Sequence, residues 1–264
     1  EAKWKAQAIC KAAWSYSPAS KTIHSPRGSN SVSIHPIPPV TQSIQRLIEG
    51  QDTDLVPESK PHAAEPIRWY PGLELPNTTT SRVLFVDNLD SFSWNIVHAL
   101  STLEAEVVIV PGRQISLPPK QLIEDLKPTH IVLGPGPGRP EQSPLTMQFA
   151  KSAIQGKTPP LLGICLGHQA IGLAAGWTLA PTEYGAVHGV PDGIQSGDLL
   201  QIMTRYHSLA LTPNNDILRV TATDSATNKL VMAIQHPEWP VSGVQYHPES
   251  AGSVGGLSIL ADFL

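Results

Sequence analysis

The spacing of hydrophobic residues changes at about residue 82. From there on, short apolar runs of strand length alternate with segments whose apolar residues recur at helical spacing. The strand-like runs are Val83–Val86, Val107–Val110, Ile131–Leu133 and Leu161–Ile164. The helical segments are Phe92–Leu103, Gln121–Leu126, Leu145–Ile154 and Gln169–Ala175. This alternation predicts a parallel sheet that is covered by helices on both faces.

Further apolar runs follow without clear helices between them. They are Leu199–Met203, Leu218–Thr223, Val231–Ile234 and Val241–Tyr246. Strands joined by short connections are typical of antiparallel pairing, so we expect an antiparallel extension of the sheet. The predicted fold class is α/β, with an open, mostly parallel sheet flanked by helices. In such sheets the functional site lies beyond the carboxyl ends of the strands.

Residues 1–81 differ from the rest of the chain in composition and in hydrophobic pattern. Residues 1–82 hold ten of the 26 prolines but only three of the 20 glycines. Good helix formers predict a helix over Ala2–Trp14, a Ser/Pro-rich linker follows, and a second short helix is expected around Val40–Ile48. Residues 51–81 are rich in proline and carry no pattern. We therefore expect an N-terminal extension over residues 1–81 and one α/β domain over residues 82–264.

Charge and cysteine content exclude several classes of protein. The 18 Lys and Arg residues against 22 Asp and Glu give a net charge of −4, which lacks the basic field that nucleic-acid backbones require. No apolar run approaches the roughly 20 residues of a membrane span. Cys10 and Cys165 cannot form a disulfide framework, and no secretion signal is visible. We expect a soluble, cytoplasmic protein that binds neither nucleic acid nor membranes.

Cys165 is the strongest candidate for chemistry. It stands in the sequence Gly-Ile-Cys-Leu-Gly, directly after the predicted strand Leu161–Ile164 and directly before a helix. A strand-to-helix turn exposes a nucleophile, and flanking glycines leave room for its backbone. The start of the helix favours the reactive thiolate and supplies N–H groups for an oxyanion. Cys10 lies in a plain helical pattern and is interpreted as a packing residue.

A thiol nucleophile needs a base and a group that orients the base. Two identical tripeptides qualify, His236-Pro237-Glu238 and His247-Pro248-Glu249. In an extended segment the first and third residues point the same way, so each tripeptide would place a carboxylate beside its imidazole. Spacing alone leaves the choice between the two histidines open.

A stiff loop of alternating glycine and proline, Gly134–Gly138, follows the predicted strand Ile131–Leu133. Such a loop has few side chains, which lets backbone N–H groups approach a ligand closely. It is not a phosphate-binding P-loop, because no Lys-Ser/Thr pair follows. An ordinary rigid turn is the alternative.

Five blocks of this chain follow one another in a characteristic order: Asp87–Phe92, Gly134–Gly138, Leu162–Ile171, Arg205–Leu209 and Gly243–Ser250. In order and approximate spacing they resemble the class I glutamine amidotransferases. The similarity covers about residues 82–264 and is closest to the branch that serves anthranilate synthase and aminodeoxychorismate synthase. It implies a flavodoxin-like fold.

The resemblance assigns roles to individual residues. It implies Cys165 as nucleophile, His247 as base and Glu249 as the orienting carboxylate, and it leaves His236 as a strand-end residue. The residues it implies for the oxyanion hole are the backbone at Gly136 and Leu166. Those it implies for glutamine binding are Gly136, Pro137, Gly138, Gln169 and the backbone of Ser208 and Leu209.

The resemblance also implies a reaction and a partner. Cys165 would hydrolyse L-glutamine through a thioester, and the ammonia would pass to a chorismate-utilising synthase, with anthranilate synthase of tryptophan biosynthesis as the leading choice. Aminodeoxychorismate synthase and a phenazine-type aminodeoxyisochorismate synthase are alternatives. More distant alternatives are a γ-glutamyl peptidase and a non-catalytic regulatory subunit. No cofactor or metal is expected in this domain, and magnesium would belong to the partner.

Two observations qualify the resemblance. Gly134, Ala174–Trp177 and Ala251–Ser253 depart from the family pattern, although none of these changes removes a catalytic group. Residues 1–14 resemble, over a short stretch, the closing helix of a chorismate-utilising synthase. With Glu1 in place of Met, this predicts the tail of a synthase–amidotransferase fusion; an unrelated low-complexity extension is the alternative.

Overall fold

The computed structural model describes residues 67–69, 81–114 and 117–264. The helices predicted within residues 2–48, and Cys10 with them, lie outside this part. The helices within it are α1 Ser93–Thr102, α2 Pro119–Leu126, α3 Pro144–Ala153, α4 Leu166–Ala174 and α5 Gly256–Phe263. The strands are β1 Ile67–Trp69, β2 Arg82–Asp87, β3 Glu106–Pro111, β4 His130–Leu133, β5 Leu161–Ile164, β6 Thr178–Pro181, β7 Val187–Ser196, β8 Leu199–His207, β9 Leu209–Thr212, β10 Arg219–Asp224, β11 Val231–Gln235 and β12 Val241–Val244.

Most strands belong to one sheet, in the order β1-β3-β2-β4-β5-β12-β11-β10-β7-β8. The five strands from β3 to β12 in this order are parallel to one another. The strands β11, β10, β7 and β8 extend the sheet by antiparallel pairing. A separate antiparallel pair is formed by β6 and β9. The predicted α/β class, with its mostly parallel sheet and antiparallel extension, is confirmed.

Alternation along the central strands builds a core on each face of the sheet. In β2, Leu84 and Val86 pack into the cluster that includes Leu122, Phe149 and Ile171 of α2, α3 and α4. Val83 and Phe85, on the opposite face, pack into the cluster that includes Ile96 of α1 and Leu260 of α5. Because a strand that is buried on both faces carries apolar residues at successive positions, these runs could be predicted from the sequence.

The last predicted run departs from the expected antiparallel extension. Val241–Val244 forms β12, which pairs in parallel with β5 and so belongs to the parallel part of the sheet. The reason is the tight turn between β11 and β12, which are antiparallel to each other. Because the chain reverses at this turn, β12 runs in the same direction as β5 and the other parallel strands. This places the segment after β12 beside the end of β5.

Several elements lack a sequence signal. The strand β7 contains glycine, proline and an aspartate and is exposed along much of its length, so it shows no alternation. Neither β6, β9 nor α5 was predicted. In the Pro-rich stretch without pattern, β1 pairs antiparallel with β3 through the register Arg68 to Val108. Among the helices in the described ranges, none is long and apolar enough to cross a membrane.

Candidate active site

The carboxyl ends of three adjacent parallel strands gather the candidate residues. The loop Gly134–Gly138 follows β4, Cys165 follows β5, and the segment Gln245–Glu249 follows β12. Since β4, β5 and β12 pair in parallel in this order, the three segments leave the same edge of the sheet. The site therefore lies where ligand sites occur in open α/β sheets.

Cys165 occupies the predicted turn between β5 and α4. Its backbone has φ 51° and ψ −99°, a region that a residue with a Cβ rarely adopts. A Cβ on Gly163 would lie 2.5 Å from the carbonyl carbon of Gly167, and a Cβ on Gly167 would lie 2.1 Å from the carbonyl oxygen of Leu133. Strand and helix thus approach each other so closely that only glycine fits on either side of the cysteine.

The Cys165 sulfur lies between an acceptor and a donor. Its Sγ atom is 3.7 Å from the carbonyl oxygen of Tyr206 and 3.6 Å from Nε2 of Gln245. The residue is only 6% exposed. A thiol can donate to the carbonyl, whereas a thiolate can accept from the amide. Because α4 begins at the next residue, Leu166, the positive end of its dipole lies beside the cysteine.

His247 and Glu249 form a buried pair beside this sulfur. The distance from Nδ1 of His247 to Oε1 of Glu249 is 2.7 Å, and the two side chains are 1% and 0% exposed. Burial by itself lowers the pKa of His247, but the adjacent Cys165 sulfur and the Glu249 carboxylate outweigh it and raise the pKa to about 10. The arrangement favours an imidazolium whose Nδ1 is oriented by the carboxylate.

Aromatic rings fix the position of the imidazole. The ring of Tyr206 packs edge-on against His247 with centroids 5.2 Å apart, and Phe92 lies 6.0 Å from it. Phe92 and Tyr206 also contact each other, with centroids 5.0 Å apart. These rings shield the imidazole from solvent, which strengthens its interaction with the two charged neighbours.

The second His-Pro-Glu tripeptide lies at the opposite edge of the sheet. His236 follows β11, which runs antiparallel to β12, and its backbone N–H donates to the carbonyl oxygen of Val241 at the start of β12 (2.8 Å). Its Nδ1 accepts from the backbone N–H groups of Glu238 and Trp239, at 3.1 and 3.0 Å. His236 therefore organises a turn, and the length of β12 separates it from Cys165.

The Gly-Pro loop is held by residues from two other strand ends. Asn88 Nδ2 donates to the carbonyl oxygen of Gly134 (2.8 Å), and Arg113 Nη2 donates to that of Pro137 (2.5 Å). A Cβ on Gly136 would lie 2.6 Å from Cβ of Asn88, and Gly138 has φ +81°. Among the described residues, the N–H groups of Gly136 and Leu166 donate to no other backbone group.

The remaining predicted glutamine contacts lie on α4, at the residue between β8 and β9, and at the start of β9. Gln169 Nε2 donates to Oε1 of Gln245 (3.0 Å) and, at 3.4 Å, to the carbonyl oxygen of Leu209. The carbonyl oxygen of Ser208 accepts from the N–H of Thr182 (2.9 Å). The structure thus brings Gln169 and Leu209 into contact, and Thr182 anchors Ser208.

A polar network behind this backbone was not predicted from the sequence. Arg205 Nε donates to Nε2 of His207 (3.0 Å), Arg205 also contacts Asp192, and Nδ1 of His207 lies 2.9 Å from the carbonyl oxygen of Leu209. Burial lowers the pKa of His207 to about 4, and the charge of Arg205 adds to this. His207 is therefore neutral. The Arg205–Leu209 block was visible in the sequence, but its partner Asp192 lies on the unpredicted strand β7.

No group of three or more His, Cys, Asp or Glu side chains that could hold a metal ion occurs in the described ranges. The groups that this edge presents are a thiol, an imidazole, a carboxylate and backbone N–H groups without a backbone acceptor. Groups of these types are the ones that thiol-dependent acyl transfer uses.

Comparison with known proteins identifies the family. Residues 84–264 match the family described as glutamine amidotransferase class-I. The chain belongs to this family. A protein of the GMP synthase type from Thermoplasma acidophilum has a similar fold, with a TM-score of 0.59 at 20% sequence identity, over 69% of this chain and 92% of the other.

Within this family, the chain is similar to curated proteins that are named as components of anthranilate synthase and of aminodeoxychorismate synthase. Anthranilate synthase component 2 of Mycobacterium tuberculosis (strain CDC 1551 / Oshkosh) is 38% identical over 199 residues, covering 69% of this chain and 81% of the relative. Aminodeoxychorismate synthase component 2 of Escherichia coli (strain K12) is 33% identical over 189 residues, covering 69% and 98%. The bifunctional protein TrpGD of Thermotoga maritima is 37% identical over 195 residues, covering 69% of this chain and 32% of that protein.

Proposed function

We propose that this protein hydrolyses L-glutamine through a Cys165 thioester and supplies the ammonia to a chorismate-utilising synthase of the anthranilate synthase type. The observation that carries the proposal is the strained turn that holds Cys165 beside the buried His247–Glu249 pair. A nucleophile, a base and a group that orients the base are the parts that thiol-dependent acyl transfer requires.

The first half-reaction forms the thioester. The Cys165 thiolate attacks the side-chain carbonyl carbon of glutamine, and the oxyanion accepts hydrogen bonds from the backbone N–H groups of Gly136 and Leu166. His247, protonated because its pKa is raised to about 10, gives its proton to the departing amine. The carbon–nitrogen bond breaks, ammonia leaves, and a γ-glutamyl thioester remains on Cys165.

The second half-reaction restores the enzyme. The now neutral His247 takes a proton from water, the resulting hydroxide attacks the thioester carbonyl, and glutamate leaves as the Cys165 thiolate re-forms. Glu249 keeps Nδ1 of His247 oriented in both halves. We assign glutamine binding to Pro137, Gly138, Gln169 and the backbone of Ser208 and Leu209. The step uses only side chains and backbone of this chain; magnesium is assigned to the chorismate site of the partner.

The similarity to relatives named anthranilate synthase component 2 supports the choice of partner. A relative named aminodeoxychorismate synthase component 2 supports the second candidate, since one amidotransferase architecture serves both. The two candidates differ only in the aminated product, so product analysis with each type of synthase separates them.

The test substitutes the nucleophile. Cys165→Ser, assayed with a chorismate-utilising partner, is expected to abolish glutamine-dependent anthranilate formation and to leave ammonium-dependent formation unchanged, because only the glutamine half needs the thiolate. Cys10→Ser is the matched control and should leave both unchanged. Glutamine-dependent product from Cys165→Ser, or loss of both activities, would overturn the proposal. Full hydrolysis of γ-glutamyl peptides without any partner would point to a peptidase instead.

A further inference from the structure

Gln245 lies between Cys165 and Gln169 without a role in the mechanism above. It immediately follows β12 and is 0% exposed. Its backbone N–H donates to the carbonyl oxygen of Met232 (2.8 Å), which anchors it to β11. Its side chain reaches the nucleophile, with Nε2 3.6 Å from Sγ of Cys165. A fully buried amide is expected to satisfy both its donor and its acceptor, so its orientation matters.

The Leu209 carbonyl oxygen, which can only accept hydrogen bonds, determines that orientation, and His207 donates to it from the other side. Arg205 can only donate, so Nε2 of His207 accepts from it, and the proton of the neutral imidazole must lie on Nδ1. Nδ1 then donates to the carbonyl oxygen of Leu209, which can only accept. The lowered pKa of His207, caused mainly by burial, agrees with this neutral form.

The Leu209 carbonyl also fixes the direction of the hydrogen bonds that lead through Gln169 and Gln245 to the sulfur. The carbonyl oxygen of Leu209 and Oε1 of Gln245 both face Nε2 of Gln169. Turning the Gln169 amide over would set its oxygen against the Leu209 carbonyl, which is also an acceptor, so its NH2 group must face both. With its oxygen engaged by Gln169, Gln245 has only its NH2 group to present to Cys165. A thiolate at that position can accept from this group.

We propose, on the basis of the proposed function, that Gln245 is a further catalytic residue whose amide N–H donates to the Cys165 thiolate and stabilises the nucleophile. Gln169 acts as a positioning residue that fixes the direction of this donation. At the far end of the chain of hydrogen bonds, Asp192 contacts Arg205 with a side chain that is 31% exposed.

The test measures the thiolate directly, without glutamine or a partner. The rate at which iodoacetamide alkylates Cys165 is followed against pH by peptide mass analysis, which reports Cys10 separately. In Gln245→Met, which keeps volume and removes the donor, we expect the midpoint of the profile to rise by about one to two pH units, because a hydrogen bond to a charged group is lost. Gln245→Glu retains an acceptor for Gln169 but faces the sulfur with a negative charge, so its midpoint should rise further.

Gln169→Met removes the orienting donor without touching the sulfur, and a smaller upward shift is expected from it. Gln235→Met and Gln235→Glu, at an exposed position at the other edge of the sheet, are the matched controls and should match the wild type. Coincident profiles for the wild type and for whichever Gln245 variants fold would overturn the role of Gln245. A wild-type Cys165 that reacts no faster than Cys10 at neutral pH would instead count against the proposed function itself.

Discussion

Three buried imidazoles surround the nucleophile, and burial affects their charge in different ways. His247 is kept protonated by Cys165 and Glu249, which raise its pKa to about 10. His168 is fully buried against Gly243, and burial lowers its pKa to about 3. His207, between Arg205 and the carbonyl oxygen of Leu209, has its pKa lowered to about 4 by burial. Only for His247 do the neighbouring side chains, Cys165 and Glu249, outweigh the cost of burying its charge.

The lowered pKa of His168 makes the protein sensitive to acid. Between about pH 6.5 and pH 3 the unfolded chain binds a proton at this position that the folded protein excludes, so the free energy of unfolding falls as pH falls. We expect His168→Met to remove about 1.4 kcal/mol of this decline per pH unit. Urea unfolding at pH 6.5, 5.5 and 4.5 measures it.

The exposed His188 provides the matched control, since His188→Met should keep the wild-type slope. The opposite sign applies to His247. Its contribution to stability is fully present below about pH 6.5 and is lost as pH rises through about 10. A His168→Met protein that remained as acid-sensitive as the wild type would contradict the assignment to His168.

A serine hydroxyl group joins backbone hydrogen bonds in tying the segment after β12 to β8. Ser253 Oγ donates to the carbonyl oxygen of His247 (2.5 Å) and accepts from the N–H of Thr204 (2.9 Å). The N–H of His247 donates to the carbonyl oxygen of Thr204 (2.9 Å). Since β8 also carries Tyr206, whose ring packs against His247, this connection sets the imidazole relative to the nucleophile.

Removing that hydroxyl should displace His247 more than it disturbs glutamine binding. We expect Ser253→Ala to lower kcat for glutamine hydrolysis roughly tenfold, with KM little changed, because each lost hydrogen bond is worth about 1 kcal/mol. Ser253→Thr keeps the hydroxyl and should restore the rate. Ser258→Ala, at an exposed position on α5, is the control for losing a serine hydroxyl. A parallel loss in Ser253→Ala and Ser253→Thr would show that the hydroxyl is not responsible.

The elements that could be predicted from the sequence are those whose burial produces a regular pattern of apolar residues or whose turn requires glycine. Leu161–Ile164 was predicted with its observed bounds, and the glycines beside Cys165 marked the tight turn, because local sterics decide both. The strand β7 has solvent along much of its length, so its sequence carries no apolar pattern. The contact between Asp192 and Arg205 depends on the pairing of β7 with β8, which spacing along the chain does not encode. The orientation of Gln245 was invisible for the same reason.

The completeness of the main sheet depends on a strand outside the predicted domain boundary. The strand β1, in the stretch that precedes residue 82, pairs antiparallel with β3. In β3, Val107, Val108 and Val110 are almost fully buried, and Glu106 is buried with its carboxylate 2.7 Å from Nε of Arg82. Without β1 the backbone groups on that side of β3 would be free to pair with another chain.

A chain that begins at residue 81 should therefore aggregate more readily than one that begins at residue 66, although both contain all the candidate catalytic residues. Light scattering at matched concentrations, with the urea midpoint of each, measures the difference. Proline lacks the N–H that pairs strands, and of two neighbouring residues only one points its N–H at β3. In the longer chain, one of the two variants Arg68→Pro and Trp69→Pro, the one that removes the N–H facing β3, should consequently aggregate like the shorter chain. Equal solubility of all four proteins would mean that β3 does not depend on β1 for cover, and that the domain is self-sufficient from residue 82 onward.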